Sequence, residues 1–556
     1  MEIIKKFFSH KDNEGFFYEE LELIKIRRQK LGLDENSPRF GLALSGGGIR
    51  SAVFNIGLTK VLKEKGILKK LDYISSVSGG GYVNAYIQKN MDNIEQYNYN
   101  GDNSLFGKNS INHFKKYKSY LNPNQGLFKL DSIIFLVSYV LLALLHILWY
   151  ILFLTLIIYI FSLVTFGSEI LFPYFNYIND ILHLPEVNNN NEIRFFISFL
   201  FLFISWSYLA NPNILSMFMY YRFRLKKLFL NDNDIELARL TKSTSDETKY
   251  TIAPYPLFNT TLNIQNDKNI IGMKSCDYFL FSPLYCGSKH TGYISTDSKS
   301  YQNINLSTVM TISGAALNPY MGYFSTKFIS FFMIILNIRL GYWIDNPKTI
   351  NSSKEFNFNK PPWAMYNLFE LFGYMDLSKS KINLSDGGHI ENLGAFELLR
   401  RRCELIIVSD AGADSDYSFY DLNILMKRAR AELHLAIEFN ECKDPQTLIR
   451  PNALTGYSKQ SYAIANIYDL SADKRHIGRL IYIKASVTSS STVYQDRSHK
   501  YQNYHPSFPH ESTLDQFFDD DQWNAYEALG KDIAIEVFCK QNVLNLEDDS
   551  FENCRI

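Results

Sequence analysis

The hydrophobic positions of this 556-residue chain follow two different patterns. Residues 40 to 90, and the block that begins at residue 381, alternate short apolar runs typical of buried strands with stretches of helical spacing. Residues 16 to 33 mix apolar and charged positions and predict a leading amphipathic helix. Residues 479 to 487 predict a strand, and residues 520 to 541 predict a final helix. Strands that alternate with helices predict an α/β fold.

The second pattern is continuous apolar sequence. Residues 133 to 164 contain no charged residue, and this run is longer than the about 20 apolar residues that a membrane-spanning helix needs. A second run, residues 195 to 210, is shorter. We therefore expect transmembrane helices near 133–160 and 195–212.

A third apolar stretch lies at residues 328 to 344. It is interrupted by Asn337 and Arg339. These polar positions favour a buried or interfacial helix over a third membrane span.

Charged residues flank the first two runs asymmetrically. Acidic residues predominate between the runs, whereas cations lie outside them, at Lys115, Lys116, Lys118 and Lys129 before the first run and at Arg222, Arg224, Lys226 and Lys227 after the second. Positive residues favour the cytoplasmic side of a membrane. The pattern predicts an integral membrane protein with an inserted two-helix transmembrane hairpin and the rest of the chain in the cytoplasm.

Composition adds two expectations. Lys+Arg and Asp+Glu both number 57, so the formal net charge is zero and nothing indicates a nucleic-acid partner. The six cysteines form no C-x-x-C pair and fit no zinc spacing, which favours reduced thiols. We expect no metal and no cofactor.

Three consecutive glycines follow the first predicted strand. Gly46, Gly47 and Gly48 stand between an apolar run at 40 to 44 and a helix that begins near Ile49. Backbone N–H groups at a helix N-terminus favour negative charge, and glycines allow an anion to approach them closely. The turn suits either a phosphate or the oxyanion of an acyl-transfer intermediate.

A serine stands at the next strand-to-helix turn. The strand from Tyr73 leads to Ser78, and Gly79 and Gly80 open the following helix. A nucleophile elbow has this arrangement, usually as G-x-S-x-G, and here Ser76 replaces the first glycine. Ser75 and Ser76 are alternative nucleophiles, but both lie within the strand.

An aspartate completes the candidate chemistry. Asp386 ends the apolar strand KINLS and precedes two glycines, which places its carboxylate at a strand end, where α/β sheets bind ligands. A serine hydrolase normally adds a histidine, but none of the eleven histidines lies in a convincing setting. A serine–aspartate dyad needs none, because the carboxylate itself can accept the hydroxyl proton.

The order G-G-G-x-R, S-x-S-G-G and D-G-G resembles the patatin-like phospholipases and the related cytosolic phospholipase group, over residues 38 to 90 and 270 to 415. The resemblance implies a three-layer α/β/α hydrolase core. It also implies that Ser78 is the nucleophile and Asp386 its base, that Gly46, Gly47 and Gly48 offer oxyanion N–H groups, and that Arg50 stabilises a lipid phosphate.

These observations predict five regions. They are an N-terminal helix region (1–37), the first part of the core (38–92), a membrane insertion (93–269), the second part of the core (270–440) and a C-terminal part of the core (441–556). The predicted function is a membrane-anchored hydrolase that cleaves fatty-acyl esters of phospholipids or lysophospholipids, with membrane lipids as its partners. Two alternatives remain open: a transacylase or neutral-lipid esterase with the same dyad, and a non-catalytic membrane scaffold that retains the fold.

Overall fold

The computed structural model describes most of the chain. The described residues are 11–92, 97–119, 130–166, 189–242, 251–265, 276–321, 327–352, 361–471, 473–489, 495–513, 515–541 and 543–544. The predicted connection between the two apolar runs, at 167–188, lies outside the described residues.

One large sheet organises the described part of the chain. Its strands are β1 (Phe40–Leu44), β2 (Tyr73–Ser76), β3 (Tyr255–Asn263), β4 (Cys276–Phe281), β5 (Tyr285–Ser288), β6 (Gly292–Ser295), β7 (Tyr342–Asp345), β8 (Lys381–Asp386), β9 (Leu405–Asp410), β10 (Leu435–Phe439), β11 (Tyr462–Asp469) and β12 (Arg475–Lys484). The main order is β10-β11-β12-β9-β1-β2-β3-β4-β5-β6. The five central strands, from β12 to β3, are parallel, which agrees with the βαβ pattern of the sequence.

Helices connect and cover these strands. They are α1 (Lys11–Leu31), α2 (Gly48–Glu64), α3 (Ile67–Lys70), α4 (Gly79–Asn90), α5 (Lys108–Tyr117), α6 (Leu130–Phe166), α7 (Asn189–Leu209), α8 (Pro212–Leu215), α9 (Phe218–Leu230), α10 (Leu306–Ser313), α11 (Lys327–Ile335), α12 (Pro347–Ser352), α13 (Trp363–Leu371), α14 (Phe396–Arg400), α15 (Tyr420–Leu433), α16 (Pro445–Leu448), α17 (Gln495–Tyr504) and α18 (Asp520–Ile535). The predicted helices at 16–33, after Gly48, after Ser78 and at 520–541 correspond to α1, α2, α4 and α18.

Both faces of the sheet are buried under helices. Alternate residues of a strand point to opposite faces, and in β1 Leu42 and Leu44 join one hydrophobic core while Ala43 joins another. The first core contains side chains of α2, α4, α9, α10 and α18. The second contains side chains of α1, α14 and α15. The result is a helix layer on each side of a mixed sheet.

The placement of β8 brings two distant parts of the chain together. The first residues of β3 pair with β2, as Phe258 does with Ser76, whereas the later residues pair with β8, as Thr260 does with Asp386. Both neighbours lie on the same side of β3, because β4 occupies the other side. Since β2 is parallel to β3 and β8 is antiparallel to it, their carboxyl ends point toward each other. Asp386 therefore lies beside the end of β2, at the carboxyl edge of the parallel strands, although its own strand runs in the opposite direction.

The first apolar run forms α6, which has the length and composition of a membrane span over Ile133–Phe161. Only 11% of its most apolar window is buried, so α6 is not a core helix of the globular part. Helix α7 packs along it: the Trp149 indole donates a hydrogen bond of 2.9 Å to Ser207 Oγ, and the rings of Tyr159 and Phe196 stack.

The predicted second span is not confirmed. The apolar part of α7, Phe196–Leu209, is 14 residues long, which is fewer than a membrane span needs. At 1.5 Å per residue it reaches about 21 Å, which is shorter than the about 30 Å hydrocarbon core of a bilayer. The described residues thus contain one helix long enough to cross a membrane.

The core also resumes earlier than the sequence pattern indicates. Strand β3 lies within the region 93–269 that we assigned to the membrane insertion, yet it is a central strand between β2 and β4. Its nine residues are all buried. The sequence does not show the apolar run of a buried strand here, because four of its residues are polar: Asn259, Thr260, Thr261 and Asn263. They can be buried because their side chains form hydrogen bonds inside the fold.

Candidate active site

The glycine turn has a backbone that requires glycine at two of its three positions. Gly47 and Gly48 have φ angles of 135° and 60°, which side-chain-bearing residues rarely adopt. The Gly46 N–H donates to the Asn392 carbonyl oxygen at 2.8 Å. Among the described residues, the Gly47 and Gly48 amides have no such acceptor. The structure therefore narrows the candidate oxyanion donors to Gly47 and Gly48 at the N-terminus of α2.

Ser78 occupies a strained turn between β2 and α4. Its φ and ψ are 50° and −122°, a conformation that a non-glycine residue adopts only when its surroundings enforce it. A Cβ atom on Gly79 would overlap the Gly48 carbonyl oxygen, and one on Gly80 would overlap that of Leu44. Small residues at these two positions thus allow the elbow to pack directly against the glycine turn.

A neighbouring serine holds the elbow in place. Ser313, the last residue of α10, accepts a 2.9 Å hydrogen bond from the Ser78 N–H and donates one of 2.8 Å to the Asn259 carbonyl oxygen. Both serines are buried. Ser313 therefore fixes the backbone of the candidate nucleophile without using its hydroxyl.

The two alternative serines are engaged elsewhere. The Ser75 hydroxyl donates to the Gly394 carbonyl oxygen at 2.5 Å, and the Ser76 hydroxyl accepts from the Asn84 side chain at 2.9 Å. Ser76 also donates to the Leu257 carbonyl oxygen at 3.4 Å. Because both hydroxyls serve the packing of β2, Ser78 is the better candidate of the three.

Asp386 meets Ser78 at this turn. The Asp386 carboxylate accepts a 2.7 Å hydrogen bond from the Gly388 N–H. Burial raises the pKa of Asp386 to about 7, although this bond and the neighbouring Ser78 hydroxyl act in the opposite direction. A carboxylate with a pKa near neutrality is well matched to accept a proton from a hydroxyl.

No histidine within the described ranges takes part in this contact. His389 bonds to Ser385 Oγ through Nδ1 at 2.9 Å and to the Ala316 carbonyl oxygen through Nε2 at 3.1 Å. Burial lowers the pKa of His389 to about 4, so its ring is neutral at neutral pH. His510 lies on the other side of the glycine turn, where its Nδ1 accepts a bond of 3.3 Å from the Asp414 N–H.

Arg50 lies behind the glycine turn and is buried. Its guanidinium donates to the carbonyl oxygens of Ala411, at 3.0 Å, and of Glu511, and to Thr513 Oγ1 at 3.1 Å. These bonds attach the C-terminal part of the chain to the start of α2. The predicted contact of Arg50 with a lipid phosphate stays a prediction, and it would require the segment that holds Glu511 and Thr513 to move.

The sequence patterns did not indicate Asn392, although it joins the two loops of the site. Its carbonyl oxygen accepts from Gly46, and its side-chain nitrogen donates to Asp421 at 2.9 Å. A Cβ atom on Gly46 would overlap Asn392 Oδ1 and lie 3.2 Å from Ser78 Cβ. The only available signal is its position six residues after Asp386, which carries no chemical meaning without the fold.

Gln516 is a second residue that the patterns missed. Its side-chain oxygen accepts a 3.3 Å bond from the Ile49 N–H, at the N-terminus of α2. It lies more than 460 residues away from this helix in the chain. No local pattern could have placed it there.

The arrangement is that of a candidate acyl-transfer site. The Ser78 hydroxyl lies beside the buried Asp386 carboxylate, and the Gly47 and Gly48 amides lie nearby at the N-terminus of α2. Helix N-termini carry partial positive charge, and both α2 and α4 begin at this point. Within the described ranges, no group of histidine, cysteine, aspartate and glutamate side chains has a geometry that could hold a metal ion.

Comparison with known families agrees with the class that this geometry suggests. Residues 42–262 match the model of the family described as patatin-like phospholipase. The family resemblance predicted from the three motifs is thereby confirmed. The match includes the glycine turn and Ser78, whereas Asp386 lies beyond it.

Solved structures extend the likeness of the fold. Human GIVD cytosolic phospholipase A2 aligns with a TM-score of 0.53 at 13% sequence identity, over 97% of this chain and 64% of that one. Its complex with methyl γ-linolenyl fluorophosphonate aligns with a TM-score of 0.51 at 12% identity, over the same shares. The chain thus spans 64% of the length of these structures, and at this identity the likeness concerns the fold alone. A comparison with curated protein sequences gives no match.

Proposed function

We propose that this chain is a membrane-anchored lipid acyl hydrolase that cleaves fatty-acyl esters of phospholipids or lysophospholipids with a Ser78–Asp386 dyad. The observation that carries the proposal is the placement of Ser78 beside the buried Asp386 carboxylate, whose ionised form the Ser78 hydroxyl favours, next to the Gly47 and Gly48 amides. The patatin-like phospholipase match supports the class of substrate.

In the acylation step, Ser78 Oγ attacks the ester carbonyl carbon and its proton moves to Asp386. The carbonyl oxygen becomes an oxyanion, which the Gly47 and Gly48 N–H groups stabilise. Loss of one such donor typically raises the barrier by about 2.7–4 kcal/mol. The tetrahedral intermediate collapses, Asp386 returns the proton to the leaving alkoxide oxygen, and the lyso product or alcohol departs.

In the deacylation step, a water molecule replaces the departed alcohol. Asp386 accepts a proton from this water as its oxygen attacks the acyl-serine carbonyl. The second oxyanion uses the same two amides, and its collapse releases the fatty acid and returns the proton to Ser78. Every proton transfer in this sequence uses the one carboxylate, so no histidine is required.

Membrane attachment is the second part of the proposal. Helix α6 presents a 29-residue apolar segment that is mostly exposed on the protein, as expected of a helix surrounded by lipid. Strand β2 precedes α6 and its neighbour β3 follows it, so the proposal requires the chain to return to the same side of the membrane between them. The cations outside the two apolar runs then favour a cytoplasmic catalytic domain. An enzyme attached to the bilayer meets its lipid substrate at high local concentration.

The test uses purified full-length protein in detergent. We expect methyl γ-linolenyl fluorophosphonate to label the wild type, and we expect the protein to release fatty acid from phospholipid vesicles. Ser78→Ala should abolish both signals, whereas the matched variant Ser76→Ala should retain them because Ser76 Oγ is engaged within β2. Undiminished release by Ser78→Ala would overturn the dyad, and absence of both signals in the wild type would favour a non-catalytic scaffold. Product analysis in the presence of lipid alcohols would separate hydrolysis from acyl transfer.

A further inference from the structure

Helix α11 presents large apolar side chains to its surroundings. Phe328 is 75% exposed, and Ile329, Phe331 and Phe332 are about half exposed. The rings of Phe328 and Phe332 lie one helical turn apart, in an edge-to-face contact with centroids at 5.0 Å. Leu336, which follows the helix, is also exposed. Contiguous apolar patches of this kind mark sites of contact with a protein or a membrane.

Two hydrogen bonds attach the end of α11 to the middle of α6. The Tyr139 hydroxyl donates to the Leu336 carbonyl oxygen at 3.0 Å, and His146 Nε2 donates to the Ile334 carbonyl oxygen at 2.9 Å. Tyr139 and His146 lie six and thirteen residues after Ile133, where the apolar segment begins. At 1.5 Å per residue these contacts are about 9 and 20 Å along the helix. The 29-residue segment is longer than the about 20 residues that cross the hydrocarbon core, but every window of about 20 residues within it includes His146. When α6 spans a bilayer, the contact between His146 and the end of α11 is therefore below the membrane surface, on the side where α6 begins.

The segment that leads from α10 to α11 also contacts the candidate active site. The Ala315 carbonyl oxygen accepts a 3.2 Å bond from the Asp386 N–H. Two residues after Ala315, Leu317 is exposed. Its carbonyl oxygen accepts a 2.7 Å bond from the Leu340 N–H, which joins the two ends of the segment that contains α11. The segment that carries the apolar patch is thus hydrogen-bonded to the backbone of Asp386.

We propose that the exposed face of α11, together with Leu317, contacts the acyl chains of the leaflet next to the catalytic domain. The dyad then takes its ester substrate from that leaflet. The proposal rests on the membrane-spanning role of α6 in the proposed function. The occupant is lipid hydrocarbon because residues 328–336 contain no charged side chain, and because the patch continues the surface of α6. Anchoring segments that lie in the interface plane bury such apolar faces near the headgroup boundary.

A depth measurement tests the contact directly. In a Cys442→Ser/Cys539→Ser/Cys554→Ser background, which leaves the three buried thiols Cys276, Cys286 and Cys403, an environment-sensitive fluorophore is attached through Phe328→Cys or, as the control, through Leu454→Cys, where the native side chain is 95% exposed. The full chain is reconstituted in vesicles of phosphatidylcholine and phosphatidylglycerol, with and without lipid that carries a nitroxide on its acyl chain. We expect a blue shift and loss of most of the emission at position 328, and neither at 454.

Other results overturn the proposal. A fluorophore at position 328 that behaves as the one at 454 means that α11 faces water. A blue shift without nitroxide quenching means that protein, such as a second copy of the chain, covers the patch. These readouts do not depend on hydrolysis, so failure of Ser78→Ala to abolish release would overturn the proposed chemistry and leave the membrane contact standing.

An activity measurement completes the test. We expect Phe328→Glu/Phe332→Glu to retain fluorophosphonate labelling in detergent, because neither side chain touches the dyad. On vesicles, two charges on a face that inserts into hydrocarbon should reduce fatty-acid release by about tenfold or more, while Leu454→Glu leaves it unchanged. Equal release by the double variant and the wild type would contradict a role for α11 in reaching the substrate.

Discussion

Replacing Asp386 by asparagine should abolish hydrolysis and make the folded protein more stable at neutral and alkaline pH. The asparagine has nearly the same shape, and its side-chain oxygen can still accept the 2.7 Å hydrogen bond from the Gly388 N–H. It carries no charge, so the fold no longer bears the cost of an ionised carboxylate in a buried position. The same change removes the group that accepts the Ser78 proton.

The size of the effect follows from the pKa of Asp386, which burial raises from 3.8 to about 7. Each pKa unit corresponds to about 1.36 kcal/mol, so the full effect is on the order of 4 kcal/mol. Below pH of about 4 the carboxyl is protonated in both the folded and the unfolded chain. As the pH rises toward 7, the unfolded chain ionises first, and the wild type loses stability. We expect the Asp386→Asn variant to gain relative to the wild type over this interval and the difference to level off above it.

The assay is urea unfolding of wild type and variant in detergent, followed by tryptophan fluorescence between pH 4 and 8. Asp416→Asn, at an exposed position, controls for the removal of a carboxylate as such. In parallel, the rate of fluorophosphonate labelling of the wild type should rise with pH and level off above about 7. Unfolding curves of wild type and Asp386→Asn that shift with pH by the same amount would refute the assigned pKa. Labelling of the variant at the wild-type rate would refute the role of Asp386 as base.

Two further predictions concern the surroundings of Ser78. Gly46→Ala should reduce fluorophosphonate labelling strongly, because the added methyl group would overlap Asn392 Oδ1 and press on Ser78. Gly32→Ala has room for its methyl group but strains the backbone, because the φ of Gly32 is 65°; since this strain is outside the site, the folded variant should label as the wild type does. Equal labelling of the two variants would contradict the packing of the turn. Ser313→Ala leaves the buried Ser78 N–H without its acceptor, a loss worth about 1–3 kcal/mol. Steady-state kinetics on mixed micelles should show a lower kcat with an unchanged KM, and an altered KM alone would instead indicate a role in substrate binding.

Local pattern identified most of the parts of this protein. The glycines at 46–48, the serine before Gly79 and Gly80, and the strand-end aspartate each have a signature because the chain must make a tight turn at these places. The strands β1, β2 and β8 and the helices α2 and α4 were predicted for the same reason, since alternation and helical spacing record which faces are buried. Strand β3 was missed because its polar residues are satisfied by partners distant in the sequence.

The membrane region shows where local pattern is insufficient. Composition identified the apolar runs, but the apolar part of the helix that the second run forms, Phe196–Leu209, is shorter than a membrane span. The third apolar stretch illustrates the same limit. Asn337 and Arg339 interrupt it, yet both are buried, where Asn337 donates to the Leu215 carbonyl oxygen and Arg339 pairs with Glu370. Of the apolar residues before them, Phe328, Ile329, Phe331 and Phe332 are exposed, whereas Met333 and Ile334 are buried. Burial of polar residues and exposure of apolar ones is a property of the assembled fold.

The sequence by itself determined which residues can perform chemistry and which backbone turns present them, because a turn depends on neighbours along the chain. Only the tertiary structure decided that Ser78 and Asp386 meet, since this depends on β8 following β2 along the same side of β3. It also decided that Ser313, Asn392 and Gln516 support the site. Their hydrogen bonds act over a few ångströms in space between segments that are 235 to 467 residues apart, and no periodicity along the chain records such contacts.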